Sequence, residues 1–370
     1  MQTPSPSQDR HGIYYWKCDR SAAFHGTDAV RSNDALHESQ LRRALEQHFP
    51  GIRLHLRPAG GQGNHRTFRL TLGQEEAFVR TEDGPEGDNY FDVESLVLAA
   101  VRARHVPAPR VLACDTSRSA TACFAWQVLE YVPHPDLNQA HKQGLLSLEE
   151  VAEPIGQAVA RWQDIHPPGF GPFSVQQARE QGQLVGLHAS YADYYTLNLN
   201  RHVAFLVAGE FFTDMQAAAV LAAVDAHRHL LALAQGCLVH KDLALWNILG
   251  TPPDIAAYID WDDAISGDPL DDLSLLGCFY DAPVIERALA GYARVRPLPE
   301  QYLPRFWLHL LRNMIVKAVI RVGAGYFRRS DSFFLIGSGS TGADLERFTH
   351  QRIALALRGL TENRDLSTLR

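Results

Sequence analysis

The spacing of apolar residues changes near residue 132, and this change limits the folds open to the chain. Before it, short alternating or continuous apolar runs predict five strands, at 52–56, 67–72, 77–81, 111–113 and 125–132. Helical spacing appears at 35–49 and at 89–104, where a Val-Pro-Ala-Pro segment ends the second helix. After residue 132 long helical stretches dominate, at 148–165, 215–234, 303–322 and 343–360.

These patterns predict an α+β protein with two lobes. The expected domains are an N-terminal extension and helix at 1–50, a β-rich lobe with a small antiparallel sheet and one inserted helix at 51–132, and a mostly helical lobe at 133–370. The first 35 residues look irregular apart from an aromatic patch, Tyr14-Tyr15-Trp16. We expect this patch to dock on the body of the protein, and a lid or partner contact is the alternative.

Asp242 and Asn247 lie five residues apart in a non-helical segment, 238–266, that interrupts the predicted helices. His240 completes the pattern H-x-D-x-x-x-x-N, and Asp260 follows a short apolar strand. Phosphoryl transfer needs a carboxylate to receive the proton of the acceptor hydroxyl, and oxygen ligands to hold Mg²⁺ against the phosphates. We therefore expect Asp242 to be the catalytic base, and Asn247 and Asp260 to bind the metal. Simple capping of a loop by Asp and Asn is the alternative.

A glycine-rich segment lies between the first two predicted strands. Glycines let backbone N–H groups approach phosphates closely, although an ordinary hairpin has the same composition. The segment is not a Walker A loop, because no Gly-Lys-Ser/Thr follows, nor a Rossmann fingerprint, because Arg66 replaces the third glycine. The residues expected to bind nucleotide here are Gly60, Gly61, Gly63 and Asn64.

Arg80 ends the third predicted strand, and Glu94 lies on the helix that follows. The fork of an arginine can grip phosphate oxygens bidentately, and Glu94 could hold that arginine in place as an ion pair. A surface ion pair is the alternative. The order of these features, from glycine loop to metal aspartate, predicts a phosphotransferase more strongly than any one of them.

Taken together, these residues resemble the aminoglycoside-phosphotransferase and choline-kinase-like branch of the protein-kinase-like fold. The similarity covers roughly residues 52–280. Within this branch, the segment 169–173 is similar to that of hygromycin-phosphotransferase-like members. The segments that carry the resemblance are Gly60-Gly61-x-x-Asn64, Phe78-Val79-Arg80, Glu94 with Val106-Pro107-Ala108-Pro109, His240-x-Asp242 to Asn247, Ile259-Asp260-Trp261 and 267–273.

The resemblance implies a two-lobed protein-kinase-like fold with ATP and Mg²⁺ between the lobes. Adenine would contact the segment 129–132, where Glu130 and Val132 are the expected binding residues. The acceptor would lie on the helical lobe with its hydroxyl directed at Asp242. Asp268 and Asp272 would brace the catalytic loop from a helix start.

Two residues depart from the family pattern. Lys241 occupies a position that is usually small, and Ala244 stands where many relatives carry histidine. We expect Lys241 to be solvated, and a contact with the γ-phosphate or the acceptor is the alternative.

Composition bears on partners and location. The net charge of −7 carries no polybasic run, so no nucleic-acid partner is expected. No apolar run approaches the roughly 18 residues that span a bilayer, so no membrane partner is expected either. Five scattered cysteines and the lack of an N-terminal apolar core favour reduced thiols and a cytoplasmic protein. The sequence does not indicate an oligomeric state.

The family motifs specify the reaction better than the acceptor. We expect a small hydroxyl-bearing acceptor, such as an aminoglycoside-like antibiotic or a sugar-like metabolite, with acidic residues on the helical lobe suiting an amine. A choline or amino-alcohol kinase is the alternative, with Tyr191, Tyr194 and Tyr195 as an aromatic box or simply as core residues. A pseudokinase that only binds nucleotide is a further alternative. A metal hydrolase is disfavoured, because Leu41 replaces the second histidine of an H-E-x-x-H motif.

Overall fold

A small sheet lobe and a larger helical lobe face each other across a cleft. The computed structural model describes residues 10–20, 35–60, 65–329, 339 and 341–370. The α+β architecture expected from the sequence is confirmed. The domain boundaries at residues 50 and 132 stay predictions.

The N-terminal lobe is built on a five-stranded antiparallel sheet with the order β1-β2-β3-β5-β4. All five strands expected from the sequence are present, and β3 lies at the centre of the sheet. The register places Arg80 of β3 opposite Gln127 of β5. The strands are β1 (Leu54–Pro58), β2 (Arg66–Leu72), β3 (Glu75–Glu82), β4 (Val111–Asp115) and β5 (Ala125–Glu130).

Alternate residues of these strands form the core of the lobe, because successive side chains of a strand point to opposite faces. Helix α2 (Ala35–His48) contributes Leu41 and Leu45 to this core. Helix α3 (Phe91–Ala103) follows β3 and buries Glu94 in its first turn. The strand residues of the core include Phe68, Leu70, Ala77, Val79, Trp126 and Val128.

The C-terminal lobe consists mainly of helices, and the long helical stretches predicted from the sequence are confirmed to within a few residues, apart from the predicted 215–234 helix, which ends at Ala226. Its helices are α4 (Leu137–Lys142), α5 (Leu148–Trp162), α6 (Val175–Gln181), α7 (Tyr191–Thr196), α8 (Leu199–Ala208), α9 (Asp214–Ala226), α10 (Leu270–Leu276), α11 (Ala282–Ala293), α12 (Tyr302–Gly323) and α13 (Gly342–Glu362). Helices α5 and α11 cross at very short range. A Cβ atom added at Gly156 would lie 1.8 Å from the carbonyl oxygen of Ala288. Only glycine allows the two backbones to come this close.

Six short strands in this lobe hold the segment expected to carry the chemistry. They are β6 (Phe170–Phe173), β7 (Gly186–His188), β8 (Cys237–Val239), β9 (Ile248–Thr251), β10 (Asp254–Tyr258) and β11 (Ile265–Gly267). Four of them form a sheet with the order β7-β6-β11-β8, and β9 pairs with β10 as a hairpin. The segment predicted to be catalytic therefore runs from the end of one small sheet to the start of another.

The N-terminal segment 10–20 lies across the cleft, with the short helix α1 (Trp16–Asp19) near its end. Its three aromatic residues are buried on the body of the protein. Arg10 forms an ion pair of 2.6 Å with Asp88 of the sheet lobe and also donates a hydrogen bond to the carbonyl of Asp262 in the helical lobe. Asp19 is anchored by His202 of α8, 2.8 Å away.

None of the helices within the described residues is long and apolar enough to cross a bilayer.

Candidate active site

A cavity of about 660 Å³ lies between the lobes and contains most of the predicted site residues. Glu94 does not line it but lies behind Arg80. Gly61, Gly63 and Asn64 lie outside the described residues. The predicted residues that line the cavity are Gly60, Arg80, Glu130, Val132, Asp242, Asn247 and Asp260.

His240 braces the loop between β8 and β9 from a fully buried position. Its Nδ1 accepts a hydrogen bond of 3.3 Å from the backbone N–H of Asp242, so its Nε2 carries the proton and donates to the carbonyl of Ile259 across 3.0 Å. Burial lowers the pKa of His240 to about 4, which keeps the ring neutral at physiological pH. The histidine thus fixes Asp242 against the strand that leads to Asp260.

Asp272 supports the same loop from the first turns of α10. Its carboxylate accepts hydrogen bonds from the backbone N–H groups of His240 (2.9 Å) and Lys241 (3.0 Å). Asp268 instead caps the start of α10 through the N–H of Leu270. The loop is therefore held by buried side chains on two sides.

Lys241 is buried, and the expectation that it would be solvated is wrong. Its ammonium lies 2.7 Å from Asp271 of α10 and donates a hydrogen bond of 3.1 Å to the hydroxyl of Tyr14. Burial lowers the pKa of Lys241, but Asp271 and Tyr14 outweigh it and hold that pKa above its ordinary value. This lysine fastens the N-terminal segment to the loop between β8 and β9.

Asp242 is 2% exposed and receives four donors. Tyr15 (3.0 Å) and Lys317 of α12 (3.4 Å) contact Oδ1. Lys17 (2.8 Å) and the side-chain amide of Asn247 (3.2 Å) contact Oδ2. Burial would raise the pKa of Asp242, but the two lysines hold it below its ordinary value. Asp242 is therefore ionised at neutral pH.

Asn247 and Asp260 are held side by side by the backbone, because the N–H of Ile259 donates to the carbonyl of Asn247 across 3.0 Å. The side-chain amide of Asn247 also donates to the carbonyl of Asp242. Asp260 has a left-handed backbone with a φ of 65°. Burial and the neighbouring carboxylate of Asp262 raise the pKa of Asp260 to about 7. Crowded carboxylates next to an amide oxygen are a donor set that suits Mg²⁺.

The guanidinium of Arg80 contacts three side chains where the sheet lobe borders the cavity. It forms a close ion pair with Glu94, donates to Gln127 across 2.8 Å, and lies 3.3 Å from Asp260. Glu94 also accepts the backbone N–H of Trp261 at 3.1 Å. The expected pair is thus brought together, and it connects α3 to the segment that follows Asp260.

The segment after β5 borders the cavity at the join of the lobes. The carboxylate of Glu130 is occupied by Arg110, whose Nε lies 3.3 Å away. Glu130 and Val132 both line the cavity at this join, and Val132 offers an apolar surface.

The residues that line the cavity without having been predicted include Tyr15, Lys17, Lys317 and Arg321. The aromatic patch was a signal for the first two, since Tyr15 and Lys17 lie in or next to it. Lys317 and Arg321 stand four residues apart in α12, and the other residues from Met314 to Val322 are apolar. Charges at i and i+4 of a buried helix share one face, and that spacing was the available signal.

Residues 55–304 match the model of the phosphotransferase enzyme family. The chain belongs to this family. The expected class of enzyme, a small-molecule kinase, is thereby confirmed. Among curated relatives, hygromycin-B 4-O-kinase of Escherichia coli is 26% identical over 294 residues, which are 75% of this chain and 80% of the relative. Viomycin phosphotransferase of Streptomyces vinaceus is 36% identical over 74 residues, which are 19% of this chain and only 24% of that relative.

Solved structures show the same fold. A thermostable mutant of aminoglycoside phosphotransferase APH(4)-Ia, in a ternary complex with AMP-PNP and hygromycin B, aligns with a TM-score of 0.60 at 18% identity. The alignment covers 86% of this chain and 98% of the other. Macrolide 2'-phosphotransferase MphH from Brachybacterium faecium aligns with a TM-score of 0.52 at 18% identity, over 79% and 94% of the two chains. The expected two-lobed kinase-like fold is confirmed.

Proposed function

We propose that this enzyme transfers the γ-phosphoryl group of ATP to a hydroxyl of a small molecule, with Asp242 as the catalytic base. The observation that carries the proposal is the position of this ionised, buried carboxylate on one cavity with Asn247, Asp260 and Arg80. The hydroxyl oxygen attacks the γ-phosphorus, and the bond between the γ-phosphorus and the β–γ bridging oxygen breaks. Asp242 takes the hydroxyl proton.

The nucleotide would lie between the sheet lobe and the catalytic loop. Arg80 is positioned to contact phosphate oxygens, because Glu94 and Gln127 fix its guanidinium beside Asp260. Gly60 and the neighbouring Gly61, Gly63 and Asn64 would cover the phosphates, and the segment at Glu130 and Val132 would contact adenine.

Asn247 and Asp260 would hold Mg²⁺. When bound, the ion neutralises charge on the β- and γ-phosphates. The raised pKa of Asp260 fits this assignment, because a cation would offset the repulsion that Asp260 meets from Asp262. The hydrogen bond from the backbone N–H of Ile259 to the carbonyl of Asn247 would hold the two ligands in place.

The acceptor would be a hydroxylated natural product or a sugar-like metabolite, as in the relatives that phosphorylate hygromycin B and macrolides. The alternative, a choline or amino-alcohol kinase, would need an aromatic box around the acceptor's cation, and the three candidate tyrosines do not form one. Tyr191, Tyr194 and Tyr195 are at most 1% exposed and belong to the core of the helical lobe. A pseudokinase is disfavoured, because Asp242, Asn247 and Asp260 are all present.

The test is coupled ADP release with Mg·ATP against a panel of aminoglycosides, macrolides, sugars, amino alcohols, hydroxy acids and sugar phosphates. We expect a signal that depends on the acceptor and falls by about 10²–10⁴ in Asp242→Asn, while Mg·ATP binding is nearly unchanged. An acceptor-dependent signal that Asp242→Asn leaves intact would rule out the base. A silent panel with tight ATP binding would favour the pseudokinase.

A further inference from the structure

The part of the cavity that lies beyond Asp242, along α12, is cationic and apolar. Lys317 and Arg321 line it, together with Phe279, Ile320 and Tyr326. The expected acidic lining, which would have suited an amine-bearing acceptor, is not what α12 presents. This side of the cavity is where an acceptor would extend after placing its hydroxyl on Asp242.

Arg321 is a buried cation that has no carboxylate within ion-pairing distance in the part of the chain that the structure describes. It is 3% exposed, and its one hydrogen bond there runs from Nη1 to the hydroxyl of Thr349, 2.7 Å away. Since a guanidinium has five N–H donors, the others are left for a ligand. Burial lowers the pKa of Arg321 only to about 10, so the side chain is charged at neutral pH.

Five other buried cations in the described part of the chain have a carboxylate partner or several hydrogen-bond acceptors. Arg312 lacks a carboxylate, but it donates to His202 and to the carbonyls of Tyr195 and Leu197. The pairs with carboxylates are Arg10–Asp88, Arg80–Glu94, Lys241–Asp271 and Arg352–Asp281. A buried charge without a partner is costly, so its retention on the wall of a cavity points to an anion that arrives from outside.

The spacing of Lys317 and Arg321 along α12 sets the order in which an acceptor would contact them. Lys317 lies 3.4 Å from Asp242, and Arg321 follows one helical turn later on the same face. One turn rises about 5.4 Å. A hydroxyl at Asp242 and a charged group at Arg321 can therefore belong to one small molecule.

We propose that the acceptor carries an anionic group, a carboxylate or a phosphate, that binds Arg321 while its hydroxyl is directed at Asp242. This inference rests on the proposed function for the hydroxyl end only. The guanidinium fork matches the paired oxygens of both kinds of anion. Lys317 lies between Asp242 and Arg321 and adds positive charge along the length of the bound acceptor.

Binding can be tested without turnover. Four matched probes, glycerol 3-phosphate, glycerate, glycerol and 3-amino-1,2-propanediol, are titrated by calorimetry into enzyme saturated with Mg·ADP. We expect the two anions to bind at least tenfold more tightly than the neutral and cationic analogues, and the stronger of the two identifies phosphate or carboxylate as the group. Because no transfer is needed, a failure of the proposed kinase reaction leaves this result readable.

The variants locate the anion. Arg321→Met should weaken binding of the anionic probes at least tenfold, Arg321→Lys should weaken it less, and the exposed Arg358→Met should not change it. The affinity for Mg·ADP should be the same in all of them. Equal affinities for the four probes, anion binding that survives Arg321→Met, or a matching loss of Mg·ADP affinity would each overturn the proposal.

A second readout separates a ligand-binding arginine from a structural one. Thr349 keeps its hydrogen bond to the carbonyl of Leu345, 2.6 Å away, when Arg321 is replaced. Arg321→Met should therefore raise the melting temperature of the ligand-free enzyme, because an unpaired buried charge is removed. A lower melting temperature would show that the arginine serves the fold and would also overturn the proposal.

Discussion

The hydroxyl of Tyr15 donates a hydrogen bond to Oδ1 of Asp242 across 3.0 Å. A carboxylate offers about four acceptor positions, and Tyr15, Lys317, Lys17 and Asn247 together supply four donors. An acceptor hydroxyl can therefore reach Asp242 only by replacing one of them. Tyr15 is the donor that it resembles most, because both are neutral hydroxyl groups.

Tyr15→Phe should lower the KM for the acceptor, because the variant removes the competing hydroxyl and leaves the ring in place. We expect a decrease of roughly 3- to 10-fold, of the order of one typical hydrogen bond. Steady-state kinetics with the best acceptor of the panel measures it, with Tyr302→Phe as a control away from the cavity. A higher KM would mean instead that Tyr15 holds the acceptor.

Lys17→Met should move the acid limb of the pH profile of kcat/KM to higher pH. The base works only when it is ionised, and Lys17 is the nearest charge that keeps the pKa of Asp242 low. Without Lys17 that pKa rises, and activity is lost earlier as the pH falls. We expect a shift of about one pH unit at saturating Mg²⁺. The exposed Lys142→Met is the control, and an unmoved limb would show that Lys17 does not set the charge of the base.

Asp260→Ala should abolish the gain in nucleotide affinity that Mg²⁺ gives to the wild type. Calorimetry of ADP binding with and without Mg²⁺ measures this gain. In the wild type the gain should shrink as the pH falls from about 8 to about 6, because a proton competes with the ion at a carboxyl whose pKa is raised to about 7. Asp254→Ala, at an exposed position of the same hairpin, is the control. A gain that survives in Asp260→Ala would exclude this residue as a ligand.

Gly156→Ala should destabilise the helical lobe, because the new methyl group would meet the carbonyl of Ala288 on α11. We expect a loss of about 1–3 kcal/mol in the free energy of unfolding, typical of an overpacked core. Denaturant unfolding measures the loss. Gly12→Ala is the control, since a methyl group there has open space around it. Equal stabilities of the two variants would mean that α5 and α11 separate without cost.

The secondary structure was predictable because it depends on local spacing. The alternation of Phe68 and Leu70 gives a strand with one buried face, and the long helices carry their apolar residues at helical spacing. The small sheet of β6, β7, β8 and β11 was missed, since strands of three or four residues are too short to show a period.

The candidate site was predictable where its residues are close in sequence. Asp242, Asn247 and Asp260 lie in one continuous segment, from the loop after β8 to the end of the β9–β10 hairpin. The spacing within this segment was therefore enough to predict their roles. Lys17 and Arg321 reach the same cavity from opposite ends of the chain. Their approach depends on how the N-terminal segment and α12 pack, which no local pattern reports. The burial of Lys241 was missed for the same reason, because its partners Asp271 and Tyr14 come from two other elements.

Arg10 touches both lobes at once, through Asp88 on one side and the carbonyl of Asp262 on the other. Any movement that widens the cleft must stretch or break one of these bonds. The entry of nucleotide and the seating of the N-terminal segment are therefore mechanically linked. A truncation through Lys17 would remove this bridge and, in the same step, the Tyr15 and Lys17 donors that cover Asp242.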